Sequence, residues 1–555
     1  YKTGTAEMIK SWQKLIDDHD IIVGADKGSW IWDDHSGGTN KLWMIYQNIG
    51  VGDLVVSRDI TTVNVNPSTI GCSAGDVMGI TGFYIPSSIK EFSGFLGQYT
   101  SVSKVVLEDG IQRIGQYTFN GWKELSSVNI PDSVTSVGWH SFDGTKILEN
   151  WSQIQDDGNI YIDNIYYGYN GNTEDLTNVN IKDGTRIITD WAFRGFSNLE
   201  SVKIPNTLVG IGDRSCEKCS NLVDISIPSS VRYIGQYAFS ECSNLPTITI
   251  PEGITEIKEN TFYKCSKLSN VTIPESVHDI GKYAFWSCRS LTDLKIPDGM
   301  TRINYSFGYC TNLSNITIPD SVEYIEKDAF KSAKYFENLP AGDVYFGKVY
   351  YKYNGTMPPN TSVEIKEGTK SITGGAFANY SNLISVTIPN SVTYSIGDST
   401  FANCTGLTTI TIPGSVPEIE YNMFYKCTNL KSVILENGVT EIDNRAFYMC
   451  ENLTDVSLPD SLIKIGENAF EYCEKLNKIE IPKGTTNIVK RAFANCGLTE
   501  ITLPKELKSI EADAFYQTWT IKTINYRGTE DEWKKVYINT YGNRISDATI
   551  NYNYK

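Results

Sequence analysis

The sequence predicts a repeat solenoid, mainly β, and three observations predict it. A phrase of 23 residues recurs through most of the 555, as in CSNLPTITIPEGITEIKENTF from Cys242 and CSKLSNVTIPESVHDIGKYAF from Cys265. Each phrase holds a short alternating apolar run that a proline closes. The stretch from that proline to the next cysteine is too short for a regular helix. A fixed period of this size means units that bury their apolar side only by stacking on their neighbours.

The phrase reads C-x-x-L-x-x-[VIL]-x-[IL]-P-x-x-[VI]-x-x-[IV]-G-x-x-A-F. In one coil Val271 and Ile273 alternate with Asn270 and Thr272, which puts the first pair inside and the second outside. Pro274 ends the strand because it has no N–H to donate. Val277, Ile280, Gly281 and Ala284-Phe285 then form an extended or turn-like second half, with the phenylalanine filling the coil. Prolines or their substitutes, from Pro86 to Pro504, mark seventeen such coils.

Ten of the 12 cysteines share one position of the phrase: Cys219, Cys242, Cys265, Cys288, Cys310, Cys404, Cys427, Cys450, Cys473 and Cys496. A residue at one fixed point of every coil stacks on its own copies, and a buried free Cys behaves as a small hydrophobe. The spacing therefore predicts a reduced ladder. Neighbours ~5 Å apart leave disulfide pairing sterically open. Cys216-x-x-Cys219 is the only pair at close spacing, and Cys216, at a Phe position, also reads as core, so the ladder has no metal-ligand pattern.

IPEGITEIKENTF and IPESVHDIGKYAF resemble the core phrase of the BspA-type (Treponema pallidum-type) leucine-rich repeat, over roughly residues 81 to 525. The resemblance implies a right-handed leucine-rich-repeat solenoid with 23-residue coils. It implies a parallel sheet on one face, little helix on the other, and a cap at each end. It also implies a bacterial cell-surface or secreted protein, adhesin-like and not an enzyme.

Two segments break the period, Ile147–Gly171 and Tyr335–Gly355. Each holds two β-rich runs joined by two turn residues, Asp163-Asn164 and Gly347-Lys348, which is a hairpin signal. The expected organisation is an N-terminal cap over 1–80, repeats over 81–142, an inserted hairpin over 143–175 and repeats over 176–330. A second inserted hairpin over 331–360, repeats over 361–525 and a C-terminal cap over 526–555 follow. Ile9, Trp12 and Ile16 suggest a helix within 6–18. Thr529 to Glu532 has capping-box spacing, and ATINYNY reads as a closing strand.

Each hairpin is dense in tyrosine: Tyr161, Tyr166, Tyr167 and Tyr169, then Tyr345, Tyr350, Tyr351 and Tyr353. These eight are the candidate contact residues, because Tyr joins a flat apolar body to a polar tip. Alternation predicts that the four rings of a hairpin cannot all face the core, since Tyr166 and Tyr167, like Tyr350 and Tyr351, must point to opposite faces, so at least one ring per hairpin is available to solvent or to a partner. The alternative is that the rings pack on neighbouring coils and bridge the break. The outward sheet positions, such as Thr247, Thr249, Asn270 and Thr272, offer no aromatic anchor.

The net charge of -16 and the lack of a basic stripe exclude tight nucleic-acid binding and attraction to an anionic membrane. No apolar run approaches the ~20 residues of a membrane span. The four His, His19, His35, His140 and His278, follow no ligand or triad spacing, and no P-loop, GxSxG or HExxH is present. Asp17-Asp18-His19-Asp20 and Asp33-Asp34 lack EF-hand order. No catalytic residue, metal or cofactor is expected. The expectation is a monomeric extracellular or surface protein, its signal peptide removed, that binds a host or matrix protein. A glycan-binding surface and a spacer presenting another domain are the alternatives.

Overall fold

The computed structural model describes residues 102–154, 158–543 and 545–555, with 54–55, 62–65, 82–85, 87 and 90–94. The expected helix within 6–18, Trp30, Trp32, Trp43, Cys72 and the acidic pairs near His19 and His35 lie outside the described residues. The chain divides into two compact units, one of residues 1–219 and 230–238, the other of 220–229 and 239–555. Each is a parallel β-solenoid with little helix.

Every coil contributes to three lines of contact. The first is the expected sheet: Thr247–Thr249 pairs in register with Asn270–Thr272, and Thr409–Ile412 with Ser432–Leu435. It extends past the seventeen proline-marked coils, through Leu54–Val55 at one end and Thr523–Tyr526 and Thr549–Asn551 at the other. The second is a ladder of two-residue strands just after the proline turn, such as Glu256–Ile257 on Asp279–Ile280. The consensus glycine lies beside it. A Cβ on Gly281 would sit 2.6 Å from the Glu259 nitrogen, so the backbone as it runs there leaves no room for a side chain, whereas other coils carry Lys258 or Glu326 at this position.

The third line runs along the turns around the phenylalanine. Here alternate N–H groups donate to carbonyls of the next coil: Asn260, Phe262 and Lys264 to Lys282, Ala284 and Trp286, and Arg445, Phe447 and Met449 to Glu467, Ala469 and Glu471. Two residues in most coils take positive φ to make this possible, such as Asn260 at 57° and Lys264 at 57°. The phenylalanines stack inside. In the second unit, from Phe239 to Phe330 and from Phe377 to Phe515, ring centroids are 5.1–5.8 Å apart and planes lie within 14°.

The eleven cysteines among the described residues are free and buried. Nine of the ten repeat-position thiols reach the carbonyl of the phenylalanine one coil earlier, at Sγ–O distances of 2.9–3.3 Å. Thr518 takes the same place with a hydroxyl, 2.6 Å from the Phe493 carbonyl. The position therefore wants a small donor, which the reading as a plain hydrophobe missed. Burial pushes the eight thiols from Cys265 to Cys496 up, Cys310 and Cys404 to about 12, so they keep the proton they donate.

A ladder whose N–H groups all point to the next coil must end somewhere. A buried N–H left without an acceptor costs ~1–3 kcal/mol. Where the first insert interrupts the stack, the Phe142 N–H donates to the Tyr167 hydroxyl at 3.0 Å. At the second insert the Phe330 N–H donates to the Tyr351 hydroxyl at 3.2 Å. At the C-terminal end the Phe515 N–H donates to Asn543 Oδ1 at 2.8 Å. The C-terminal segment also has the expected capping box, Thr529 with Glu532, and buries Trp533.

Candidate binding surfaces

Both inserts are antiparallel hairpins, Asn159–Ile162 with Ile165–Tyr169 and Gly342–Phe346 with Val349–Asn354. Their second strands join the short-strand ladder, Ile165–Tyr166 beside Ile187–Ile188 and Val349–Tyr350 beside Ser371–Ile372. This placement decides where the eight tyrosines go. Tyr166 stacks on Phe193 at 4.8 Å and Tyr350 on Phe377 at 4.7 Å, each in the place of a repeat phenylalanine. Tyr167 and Tyr351 turn the other way, against Phe142 and Phe330. Tyr161 and Tyr345 accept from the Lys182 and Lys366 N–H groups at 3.1 Å. Tyr169 meets Phe196 edge-on, and Tyr353 meets Tyr380 in the same way.

Tyr161, Tyr166, Tyr350, Tyr351 and Tyr353 are buried, and Tyr167, Tyr169 and Tyr345 are half-buried. The two rings of each adjacent pair do face opposite ways, but a phenylalanine of the stack waits on each side; the partly exposed rings are Tyr167 and Tyr169 in the first hairpin and Tyr345 in the second.

The outward positions of the first ladder are polar and partly bonded to one another. Ser201 donates to Asn178, Asn315 to Asp293 and Ser385 to Ser362. Ile434, 46% exposed, is the large apolar side chain on this face.

Aromatic side chains line the turn side in both units: the second has Tyr283 with Tyr305 and Tyr425 with Tyr448, and the first has a denser strip. In the first unit the residue two before each repeat phenylalanine, or before Cys216 in its place, reads Tyr117, His140, Trp191, Arg214 and Tyr237, all with φ between 55° and 64°. Trp139 stacks on Trp191 at 4.8 Å and 12°, and Tyr117 meets Trp139 edge-on at 5.5 Å. The Arg214 guanidinium lies 3.9 Å from the Tyr237 ring centroid, and that of Arg194 lies 4.4 Å from Trp191. Glu217 bridges the two arginines, at 2.9 Å from Arg214 and 2.5 Å from Arg194. Burial pushes the Glu217 carboxyl up, but the bonds from Arg194 and Arg214 outweigh it and hold the group below its usual value. The consensus hides this strip because each member occupies an x position. Its signal was the run of bulky residues at that one position.

Beside the first insert, Arg113 holds Asp213 at 2.7 Å and Asp190 at 3.2 Å, and donates to the Tyr233 hydroxyl at 2.8 Å. Tyr233 donates to Asp213, and the Asp213 N–H donates to Asp190, each at 2.8 Å. Burial raises Asp190 to about 7 even with Arg113 against it. Every oxygen of both carboxylates already has a partner, so the cluster pins coils together rather than presenting a reactive group. Among the described residues, no group of three or more His, Cys, Asp or Glu could hold a metal ion, and no helix is long and apolar enough to cross a membrane.

Two parallel ladders per coil, stacked phenylalanines and almost no helix define a leucine-rich-repeat solenoid. The BspA type leucine rich repeat region matches in six copies over residues 91–165, 161–289, 243–342, 350–477 and 440–553, and the chain belongs to that family. Among solved structures, it is similar to a leucine rich cell surface protein from Faecalibacterium prausnitzii. That match has 22% identity, covers 93% of this chain and 100% of the other, and has a TM-score of 0.27. A leucine-rich repeat protein from Eubacterium ventriosum matches at 23% identity over 62% of this chain and 92% of its own, with a TM-score of 0.33. The T. pallidum leucine rich repeat protein matches at 19% identity over 45% and 87%, with a TM-score of 0.18. No curated protein matches the chain.

Proposed function

We propose that the chain is a non-enzymatic binding protein of the cell surface or its surroundings that grips a host or matrix protein through the turn-side strip of its first unit. The observation that carries this reading is the choice of residue at the left-handed position. Asn, Asp and Gly accept positive φ most readily, and bulky side chains resist it. At the eleven corresponding positions of the second unit, six are Asn260, Asp328, Gly375, Asn422, Asn468 and Asp513. Of the five in the first unit only His140 is of a type enriched at positive φ, while Tyr117, Trp191, Arg214 and Tyr237 are not. A locally unfavourable choice repeated in four of five coils is supported best by a use for the side chains. Trp, Tyr and Arg are the residues that anchor protein interfaces. Trp139 and Trp191 cover each other's faces, which leaves less flat surface for a sugar ring and favours a protein partner over a glycan.

The test is a pull-down against matrix and host-surface proteins, run beside a glycan array, with the variant Tyr117→Asn/Trp191→Asn/Tyr237→Asn. Asn suits the backbone at all three positions. Binding to the captured protein should fall at least tenfold while the circular-dichroism spectrum is kept. Full binding by this variant, or capture of glycans alone, overturns the reading.

A further inference from the structure

The two inserts follow one plan. In the first, Tyr161 lies opposite Tyr166 and Ile162 opposite Ile165, with a bulge between Ile160 and Tyr161. In the second, Tyr345 lies opposite Tyr350 and Phe346 opposite Val349, with a bulge between Val344 and Tyr345. The Tyr166 hydroxyl donates to Asn159 at 2.8 Å, and the Tyr350 hydroxyl donates to Asp343 at 2.9 Å. Residue for residue, Asn159–Ile162 corresponds to Asp343–Phe346.

They part at the outer edge. The strand Asn159–Ile162 has a second neighbour, Ser152–Ile154, running antiparallel with Ser152 opposite Ile162, Gln153 opposite Tyr161 and Ile154 opposite Ile160. The strand Gly342–Phe346 ends its four-stranded sheet, with no second neighbour among the described residues. The chain that could have supplied one is cut to Leu339, Pro340 and Ala341 between the short helix Lys334–Asn338 and the hairpin, and Pro340 brings no N–H. The edge is open: Asp343 is exposed, and a Cβ on Gly342 would meet nothing within 4 Å.

We propose that the edge Asp343–Phe346 receives an extended segment of a protein partner as an added antiparallel strand, in the place that Ser152–Ile154 fills in the first insert. An unpaired edge presents its N–H and C=O groups as a template for another strand, and strand addition draws affinity from the main chain and specificity from alternate side chains. The covered edge supplies the register. A polar residue should lie opposite Tyr345, as Gln153 does opposite Tyr161, and an apolar one opposite Val344, as Ile154 does opposite Ile160. The next residue falls opposite the Asp343 carboxylate, which favours Lys or Arg there.

The probe is a fluorescent peptide with the Trp151–Ile154 sequence followed by lysine, titrated against the full chain by anisotropy. Saturable binding is expected. An edge strand turns only alternate N–H groups toward its neighbour. N-methylation of the Gln or of the Ile should therefore weaken binding at least tenfold for one and leave the other nearly unchanged. Asp343→Lys, at an exposed position, should weaken it several-fold. No saturable binding, indifference to both methylations, or full affinity in Asp343→Lys overturns the proposal. The strip variant Tyr117→Asn/Trp191→Asn/Tyr237→Asn should bind the peptide normally, which separates this edge from the turn-side surface.

Discussion

An ordinary coil and an interrupted one solve the same two problems differently. In the coil around Phe262, one residue does both jobs: its ring stacks between Phe239 and Phe285, and its N–H finds the Ala284 carbonyl of the next coil. At the second insert no regular coil follows Phe330, and two adjacent tyrosines divide the work. Tyr350 supplies the ring that Phe377 stacks on, while Tyr351 supplies the oxygen that the Phe330 N–H needs. Tyr166 and Tyr167 do the same at the first insert. Stacking and backbone satisfaction are thus separable requirements, and the hairpins are dense in tyrosine because phenylalanine meets only one of them.

The largest effect should come from breaking the ordinary coil. Phe262→Ala removes a ring at 1% exposure from a stack that the backbone ladder holds at fixed spacing, so the site cannot collapse. A loss of about 3–5 kcal/mol is expected, read by chemical denaturation. An unchanged midpoint would show that the ladder alone carries the coil.

A smaller effect tests the pinning of coils across an interruption. Asp190, in the coil after the first insert, meets Arg113 from a coil before it. Burial raises its folded-state value to about 7 from 3.8, so the folded state holds a proton that the unfolded state has lost. Its contribution is full below pH ~4 and falls as pH rises through about 7. Denaturation between pH 4 and 8 should therefore show a decline that Asp190→Asn flattens. A slope unaltered in the variant would place the titration elsewhere.

Much of this was legible in the period itself. Pro274, Val271 and Ile273 fix one strand, and the recurring Phe fixes the interior, because side-chain burial leaves a mark on residue type. The capping box at Thr529 and both hairpins were legible for the same reason, since turn and cap chemistry restricts which residues serve. The positive φ at Lys264 or Met449 left no such mark. Nor did the short-strand ladder, whose two-residue strands are below the length at which alternation shows. The direction of Tyr167 and Tyr351 was legible but their partners Phe142 and Phe330 were not, because alternation tells which way a ring points and not what stands there. The turn-side strip is not legible in the consensus because Trp191 and Arg214 sit at an x position, and the positive φ that makes them unusual there shows only in the backbone.

The most direct test of the divided roles is Tyr351→Phe. The substitution keeps the ring against Phe330 and removes only the hydroxyl that accepts the Phe330 N–H. A loss of about 1–3 kcal/mol is expected, together with faster hydrogen exchange at the Phe330 amide and no change at the Phe262 amide, whose acceptor is a carbonyl. Equal stability and equal protection of Phe330 in the variant would contradict the account.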